Sequence, residues 1–488
     1  MKKYFYIIAS FFLLSAANAC SEKELDLFPP SSDDIQDINT EDKLQKFLNG
    51  GYLSLASVNA FGTDILAFGD VLSDHLYVTN AKAYVLTTNM NYNALNNDFG
   101  FYGTLYDAIM SCNMVINNTQ VAETENVKRI KAEAKILRGF AYFTLVNYYS
   151  PTPTSGINQE YGVPLVLGNY DASIQPARAT VQEVYNQVIS DLTAGANGAQ
   201  DTPMLDGKAS KVTFSKRAAK LLLSRVYLTR RAPGDAQLAL QYASDIVNSQ
   251  NEDYAPIASG VYQTYFSGTN EATSENQPET IWELDVTTST NVVTGLGANK
   301  ALPTLYNRLS GDRRALLFTR NFYDSFPSTD VRKGPAATGL LTTTGVPATD
   351  NPVGVWTNKY PRLTGDGNFM RNIKILRFAE AQLNRIEALY LTGQNSTALT
   401  ELNMFAASRN GSTYTGANLL NDILTEKGKE FYGEGQRFLD LKRHNLALVK
   451  NSNCVMNCNV PASDKLFVLP ISQNALNYNM NLKQYPGY

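Results

Sequence analysis

Histidine and tryptophan are nearly missing from this 488-residue chain, with two of each, and cysteine is confined to four positions. With only His75 and His444 to draw on, histidine-based catalysis and metal binding have little material. There is no His-Glu-x-x-His, no Gly-x-Ser-x-Gly and no Gly-Lys-Ser/Thr phosphate loop, and Gly295-Leu296-Gly297 is an isolated glycine pair. Excess positive charge is missing too. The formal net charge is −3, and removal of Lys2 and Lys3 with the leader takes it to −5. A mildly acidic surface disfavours nucleic acid, whose phosphates require clustered Lys and Arg. After the first twenty residues, no run approaches the ~20 apolar residues of a membrane-spanning helix. Paired-carboxylate hydrolysis stays open, because it needs only two acids about 5–10 Å apart and the chain has 45 acidic residues.

What is present is an ordinary folding composition, 44% apolar and 18% charged, with an aromatic skew of 28 Tyr and 22 Phe. Many of the tyrosines stand among Asn, Gly and Asp rather than in helical patterns. Such side chains pack with one face and hydrogen-bond at the tip, which suits both ligand contact and packing between helices.

The N-terminus reads as a secretory leader: Lys2 and Lys3, an apolar run from Tyr4 to Ala17, then small residues before Cys20. Two cleavage readings compete. Ala17-Asn18-Ala19 fits ordinary signal peptidase, whereas a cysteine at the cleavage point favours a leader over residues 1–19 and a lipid on Cys20. The following Ser21-Glu22-Lys23-Glu24-Leu25-Asp26 is similar to the acidic export signal of surface lipoproteins. Cys454 and Cys458, in an Asn-rich loop, are a candidate disulfide in an oxidising compartment. Two cysteines without a nearby histidine fall short of a structural zinc site, so no metal is expected. Cys112 lies in an apolar helical pattern and reads as a buried small side chain.

Helical periodicity dominates the rest. Ile130, Ala134, Leu137, Ala141, Leu145 and Tyr148 form one stripe of a helix from Glu125 to about Ser150-Pro151. A second unit opens at an N-cap, Ser215, runs Lys216 to Thr229, turns at Pro233-Gly234 and resumes from Ala236 to Val247. A third runs from Leu376 to Thr392, turns at Gly393 and continues through Ala398, Leu402 and Phe405. The last two units each place Tyr-Leu-Thr, a polar turn and a second helix in series, as tetratricopeptide-like repeats do. Between the units, Gly69 to Gly103 and Gly260 to Gly367 show little helical signal and read as long irregular, aromatic-rich segments. The expected fold is therefore mainly α, with helical repeats, irregular loops and a few short strands.

The chain resembles the SusD/RagB outer-membrane nutrient-binding proteins from Cys20 to the C-terminus. The matching residues, in order, are Lys131-Ala132-Glu133-Ala134-Lys135-Ile136-Leu137-Arg138-Gly139-Phe140-Ala141-Tyr142-Phe143, Tyr161-Gly162-Val163-Pro164-Leu165-Val166, and the Lys216 to Leu228 helix. Then come Arg377-Phe378-Ala379-Glu380-Ala381 with Arg385-Ile386-Glu387-Ala388, the stretch Glu430 to Arg443, Leu469-Pro470-Ile471, and the terminal Tyr485-Pro486-Gly487-Tyr488. The resemblance implies a SusD-like domain over 20–488, with an N-terminal part of about 20–230 and a C-terminal part of about 231–488. It also implies a role: a surface-exposed lipoprotein, not an enzyme and without a cofactor, that captures a glycan and delivers it to a SusC-like TonB-dependent transporter. Peptide or other cargo, and a surface glycoside hydrolase, are the alternatives. In the family the two irregular regions supply the ligand site. By composition the candidates here are Asp74, His75, Tyr77, Asn80 and Tyr84 from the first, and Trp356 and Tyr360 from the second, with Trp356 expected to be an exposed ring in a turn-rich stretch. Trp282 reads as a packing position. Glu430, Glu434, Arg437, Asp440 and Arg443 fall at helical spacings and read as charges paired along one helix face rather than as catalysts.

If acyl chains on Cys20 are the anchor, Cys20→Ala moves the protein from the outer-membrane fraction to the soluble fraction with an unchanged melting temperature. Fractionation of cells lacking the partner transporter checks this, and retention of the variant on the membrane contradicts it.

Overall fold

The computed structural model describes residues 38–488 apart from 79–82, 170, 172, 206–207, 269, 287–299, 309–314, 344–353, 362–370 and 452. Cys20 and the leader lie outside the described residues. The longer helices are α1 (Glu41–Ala56), α2 (Asp64–Val71), α3 (Phe101–Ile116), α4 (Glu125–Tyr149), α5 (Val181–Gly198), α6 (Lys216–Arg230), α7 (Asp235–Val247), α8 (Phe378–Leu391), α9 (Asn395–Ser408), α10 (Leu419–Glu430) and α11 (Arg437–Arg443). Side chains start several of them: Thr124 accepts from Val127 N, Thr180 and Glu183 form a capping box, and Ser215 accepts from Ala218 N.

Helices α1 and α3, α4 and α5, α6 and α7, and α8 and α9 pack as pairs, and each pair packs on the next in chain order. This is the stacking expected of tetratricopeptide-like repeats, in which neighbours bury each other's apolar faces. Small residues make the close approach, with Ala218, Ala219, Ala239 and Ala243 fully buried. The stripe from Ile130 to Tyr148 is buried along its whole length. Cys112 is buried in α3, and Trp282 stacks on Phe214 at 4.3 Å, both as expected. The third unit departs slightly from expectation. Leu376 lies in a strand, and α8 starts only at Phe378.

The two segments expected to be irregular contain short strands that bind them together. Strands β1 (Leu76–Val78), β3 (Leu316–Phe318), β4 (Leu341–Thr343) and β5 (Val355–Thr357) form an antiparallel sheet in the order β1-β3-β5-β4. A separate antiparallel pair joins β2 (Thr280–Leu284) to β6 (Ile373–Arg377). A disulfide links Cys454 to Cys458.

Between sheet and repeats lies a buried ion network centred on Arg377, which is 1% exposed. Its guanidinium donates to Glu279 and Glu430 at 2.9 Å and to both oxygens of Glu434 at 2.8 and 2.9 Å. Arg409 reaches Glu430, Lys359 reaches Glu434 at 2.7 Å, and Arg332 joins Asp330 to Glu426. Burial opposes ionisation of Glu430, but Arg409, Arg377 and Arg332 hold its carboxyl well below the usual carboxylate range. The charges do not pair along one helix face as their spacing predicts. The helix stops at Glu430, Gly433 and Gly435 take left-handed φ of 76° and 72°, and a new helix starts at Arg437. Only Asp440 and Arg443 pair within a helix, and the other charges bridge separate elements.

Removing one member of a buried pair strands its partners' charge, so Arg377→Ala costs about 3–5 kcal/mol. The stranded carboxylates then titrate above their unfolded values, so the variant regains stability as pH falls from 7 toward 5 and loses it as pH rises. Glu430 in the native network has the opposite sign, because its depressed carboxyl contributes stability above the ordinary carboxylate pKa and loses it in acid. Thermal melts of both proteins across this range check the crossing trends.

Candidate functional site

The register of the four-stranded sheet assembles one row of side chains from both segments. Tyr77 faces Leu317, the pairing of Phe318 with Val355 sets Leu317 beside Trp356, and Trp356 faces Thr342. Residues in one cross-strand row share a face. Gly354 belongs to this face as well. A Cβ there would stand 2.1 Å from Leu317 Cδ2 and 2.8 Å from the Tyr77 hydroxyl, so only glycine lets the tyrosine lie across the sheet. The opposite face, with Leu76, Phe318 and Val355, is buried core.

The predicted site residues divide by what they do here. Tyr77, on the edge strand β1, is half-buried. Trp356 is not an exposed ring: it is 1% exposed, because strand pairing on both sides of β5 draws it into the sheet. Its Nε1 and the Thr342 Oγ1 opposite are buried without a hydrogen-bond partner among the described residues. Tyr84 is also buried, its hydroxyl donating to Asp64 of α2 at 2.6 Å. Tyr360 donates to the Gly433 carbonyl at 2.6 Å and packs on Tyr306, which in turn donates to Asp70 of α2 at 2.7 Å. Burial pushes the Asp70 carboxyl up to about 7. Asp74 receives two hydrogen bonds of 2.8 Å from Arg437, and His75 stacks on Phe322 at 4.2 Å. Burial works against the Asp74 charge, but His75 and Arg437 beside it hold the carboxyl well below its usual range. Asn80 lies outside the described residues.

Tyr84 therefore braces the start of this region to α2, and Asp74 and Tyr360 brace the sheet to the turn between α10 and α11 and the helix that follows it. Leu317 and Thr342, which complete the row, were missed by composition. The signal that finds Leu317 is the apolar run Ala315-Leu316-Leu317-Phe318, which is strand-length and follows a Gly-Asp turn signal at Gly311-Asp312. Among the described residues, Asp74 is engaged with Arg437, Glu434 with Arg377 and Lys359, and Glu430 with three arginines.

Stacked helix pairs supporting a small sheet define a class of helical-repeat protein, and several known proteins share it. A structure from Bacteroides vulgatus, described as a putative sugar binding protein, superposes with a TM-score of 0.79 at 26% identity, covering 92% of this chain and 99% of that one. A SusD superfamily protein from Bacteroides thetaiotaomicron gives 0.78 at 26% identity, covering 92% and 100%. A SusD-like protein of Bacteroides ovatus is 26% identical over 481 residues, 90% of this chain and 82% of that protein. Residues 168–488 match the model of the SusD family, and residues 24–228 match a SusD-like family described as starch-binding and associating with the outer membrane. The chain belongs to the SusD family.

Because Asp74 braces Arg437 through two hydrogen bonds, Asp74→Asn lowers stability by about 1–3 kcal/mol, as for loss of charge-assisted hydrogen bonds. Chemical denaturation of the two proteins checks the loss.

Proposed function

We propose that the protein captures a glycan at the cell surface, held to the outer membrane by lipid on Cys20, and passes it to a SusC-like TonB-dependent transporter. The observation that carries the glycan reading is the likeness, over 92% of this chain, to the Bacteroides vulgatus structure described as a sugar binding protein. The outer-membrane association in the matched family's description supports the location. A tethered binder has neither pore nor energy source, which is the physical reason for a transporter partner.

The ligand seats on the Tyr77 face, with Leu317 and Trp356 as the floor beneath the tyrosine. A pyranose packs the C–H groups of one face on an aromatic ring while its hydroxyls take amide and hydroxyl partners at the rim. The pairing of Asp74, Glu430 and Glu434 with cations supports binding over hydrolysis, since a glycosidase needs one acid free to donate a proton and another free to attack or activate water.

A glycan-array screen of the soluble Cys20→Ala form identifies the ligand. Tyr77→Ala then weakens its binding by about ten- to hundredfold, the scale of one lost stacking ring, at an unchanged melting temperature. Trp356→Ala lowers both affinity and stability, the latter by about 3–5 kcal/mol, because it empties a buried site. Unchanged affinity in Tyr77→Ala removes this face from the reading.

A further inference from the structure

A pocket of about 80 Å³, partly open to solvent, lies where α4 and α6 of the repeats meet α8 and the turn between α10 and α11. It is separate from the Tyr77 row, none of whose residues lines it. One wall is apolar and largely aromatic, with Phe61, Phe140, Phe143, Tyr148 and Leu228. The other is polar and incompletely paired. Arg225 spends Nε and Nη2 on Glu380, which leaves Nη1 without a partner among the described residues. Asp440 accepts from Arg443 through Oδ1 alone, and Oδ2 has no partner among them although the residue is 5% exposed. The Gln436 side chain makes no hydrogen bond to any of the described residues and does not cap its own helix. Asn147 accepts through Oδ1 from Tyr185, while its amide nitrogen donates to none of the described residues.

These partly buried groups include both donors and acceptors, so a guest in the pocket can meet either kind. The lining charges cancel: Arg225, Lys427 and Arg443 stand against Glu380, Glu434 and Asp440. A charged guest would face a balanced field, whereas an uncharged one with hydroxyls could satisfy donors and acceptors alike and lay its C–H face on the aromatic wall. One water takes at least about 10–15 Å³ of such volume, so the cavity has room for several water molecules or one small organic guest.

We propose that this cavity is a second binding site, for a small uncharged polyol, independent of the surface glycan site. Gln436 is a contact whose removal leaves the fold intact, because the side chain holds nothing else. Leu228 lies on the apolar wall, where a larger ring fills the space.

The test is calorimetric titration of the purified full chain with glycerol, erythritol and xylitol. Saturable one-to-one binding of at least one of them, weakened about tenfold or more by Gln436→Leu and abolished by Leu228→Phe, supports the site. Circular dichroism melts confirm that each variant is folded, and Gln436→Leu keeps the test decisive should Leu228→Phe fail to fold. No saturable binding of any polyol by the wild-type chain overturns the proposal, as does binding unchanged in Gln436→Leu. Glycan affinity is measured on the same variants. It stays at the wild-type value if the two sites are independent, and its loss together with polyol binding would overturn the claim of a second site.

Discussion

The buried guanidinium of Arg377 is the constraint on which the geometry of this molecule depends. It stands at the end of β6, immediately before α8, and it holds Glu279 from the start of the strand pair together with Glu430 and Glu434 from the chain's last third. Three segments distant in sequence are thereby fixed to one planar fork of donors. Such a network contributes little net stability compared with a well-packed apolar core, since desolvation of each charge offsets the attraction. What it supplies is orientation, because a displaced carboxylate in this interior would be left without a partner.

The orientation passes outward through the turn between α10 and α11. Glu434 fixes the turn from inside, while Tyr360 grips it at Gly433 and Arg437, just beyond it, holds Asp74 at the entrance to β1. The strand carrying Tyr77 is thus placed by contacts that begin at Arg377. The buried carboxylates Asp64 and Asp70 of α2 do the same work for Tyr84 and Tyr306. A rigid base of this kind suits recognition, since side chains already held in place lose less conformational freedom when a ligand arrives.

Much of this was legible in the sequence, and the limits have physical causes. The repeat helices announce themselves by the period of Ile130 to Tyr148, by the Ser215 cap and by the breaks at Gly234 and Gly393, because helical order is local. Two of the four helix pairs were not legible, since 57–100 separates α1 from α3 and 150–180 separates α4 from α5. The sheet was invisible for a related reason: its strands are three residues long, and their order is decided by pairing across more than two hundred residues. Composition then misplaced Trp356. A tryptophan among Gly, Val, Thr and Asn looks like a surface ring, but it sits in a strand flanked on both sides. The charges of Glu430 to Arg443 were rightly read as structural, yet their helical spacing misled, because two left-handed glycines break the helix between them.

The contact between Gly69 and Gly435 bears on how the chain acquires this shape. A Cβ on Gly69 would come within 1.9 Å of the Gly435 carbonyl oxygen, so the two backbones meet with no side chain between them. The groups that close this joint lie far apart in sequence, Asp74 and Arg437 by 363 positions. The helix pairs near the N-terminus can pack as soon as they emerge, since their partners are close at hand, but contacts of such high sequence separation form late and slowly. As the chain is made, the strand bearing Tyr77 therefore waits unpaired until Leu316–Phe318 emerge and unbraced until Arg437 arrives. The Tyr77 face is the last region to become ordered, and a chain interrupted near its C-terminus would present well-formed repeats without it.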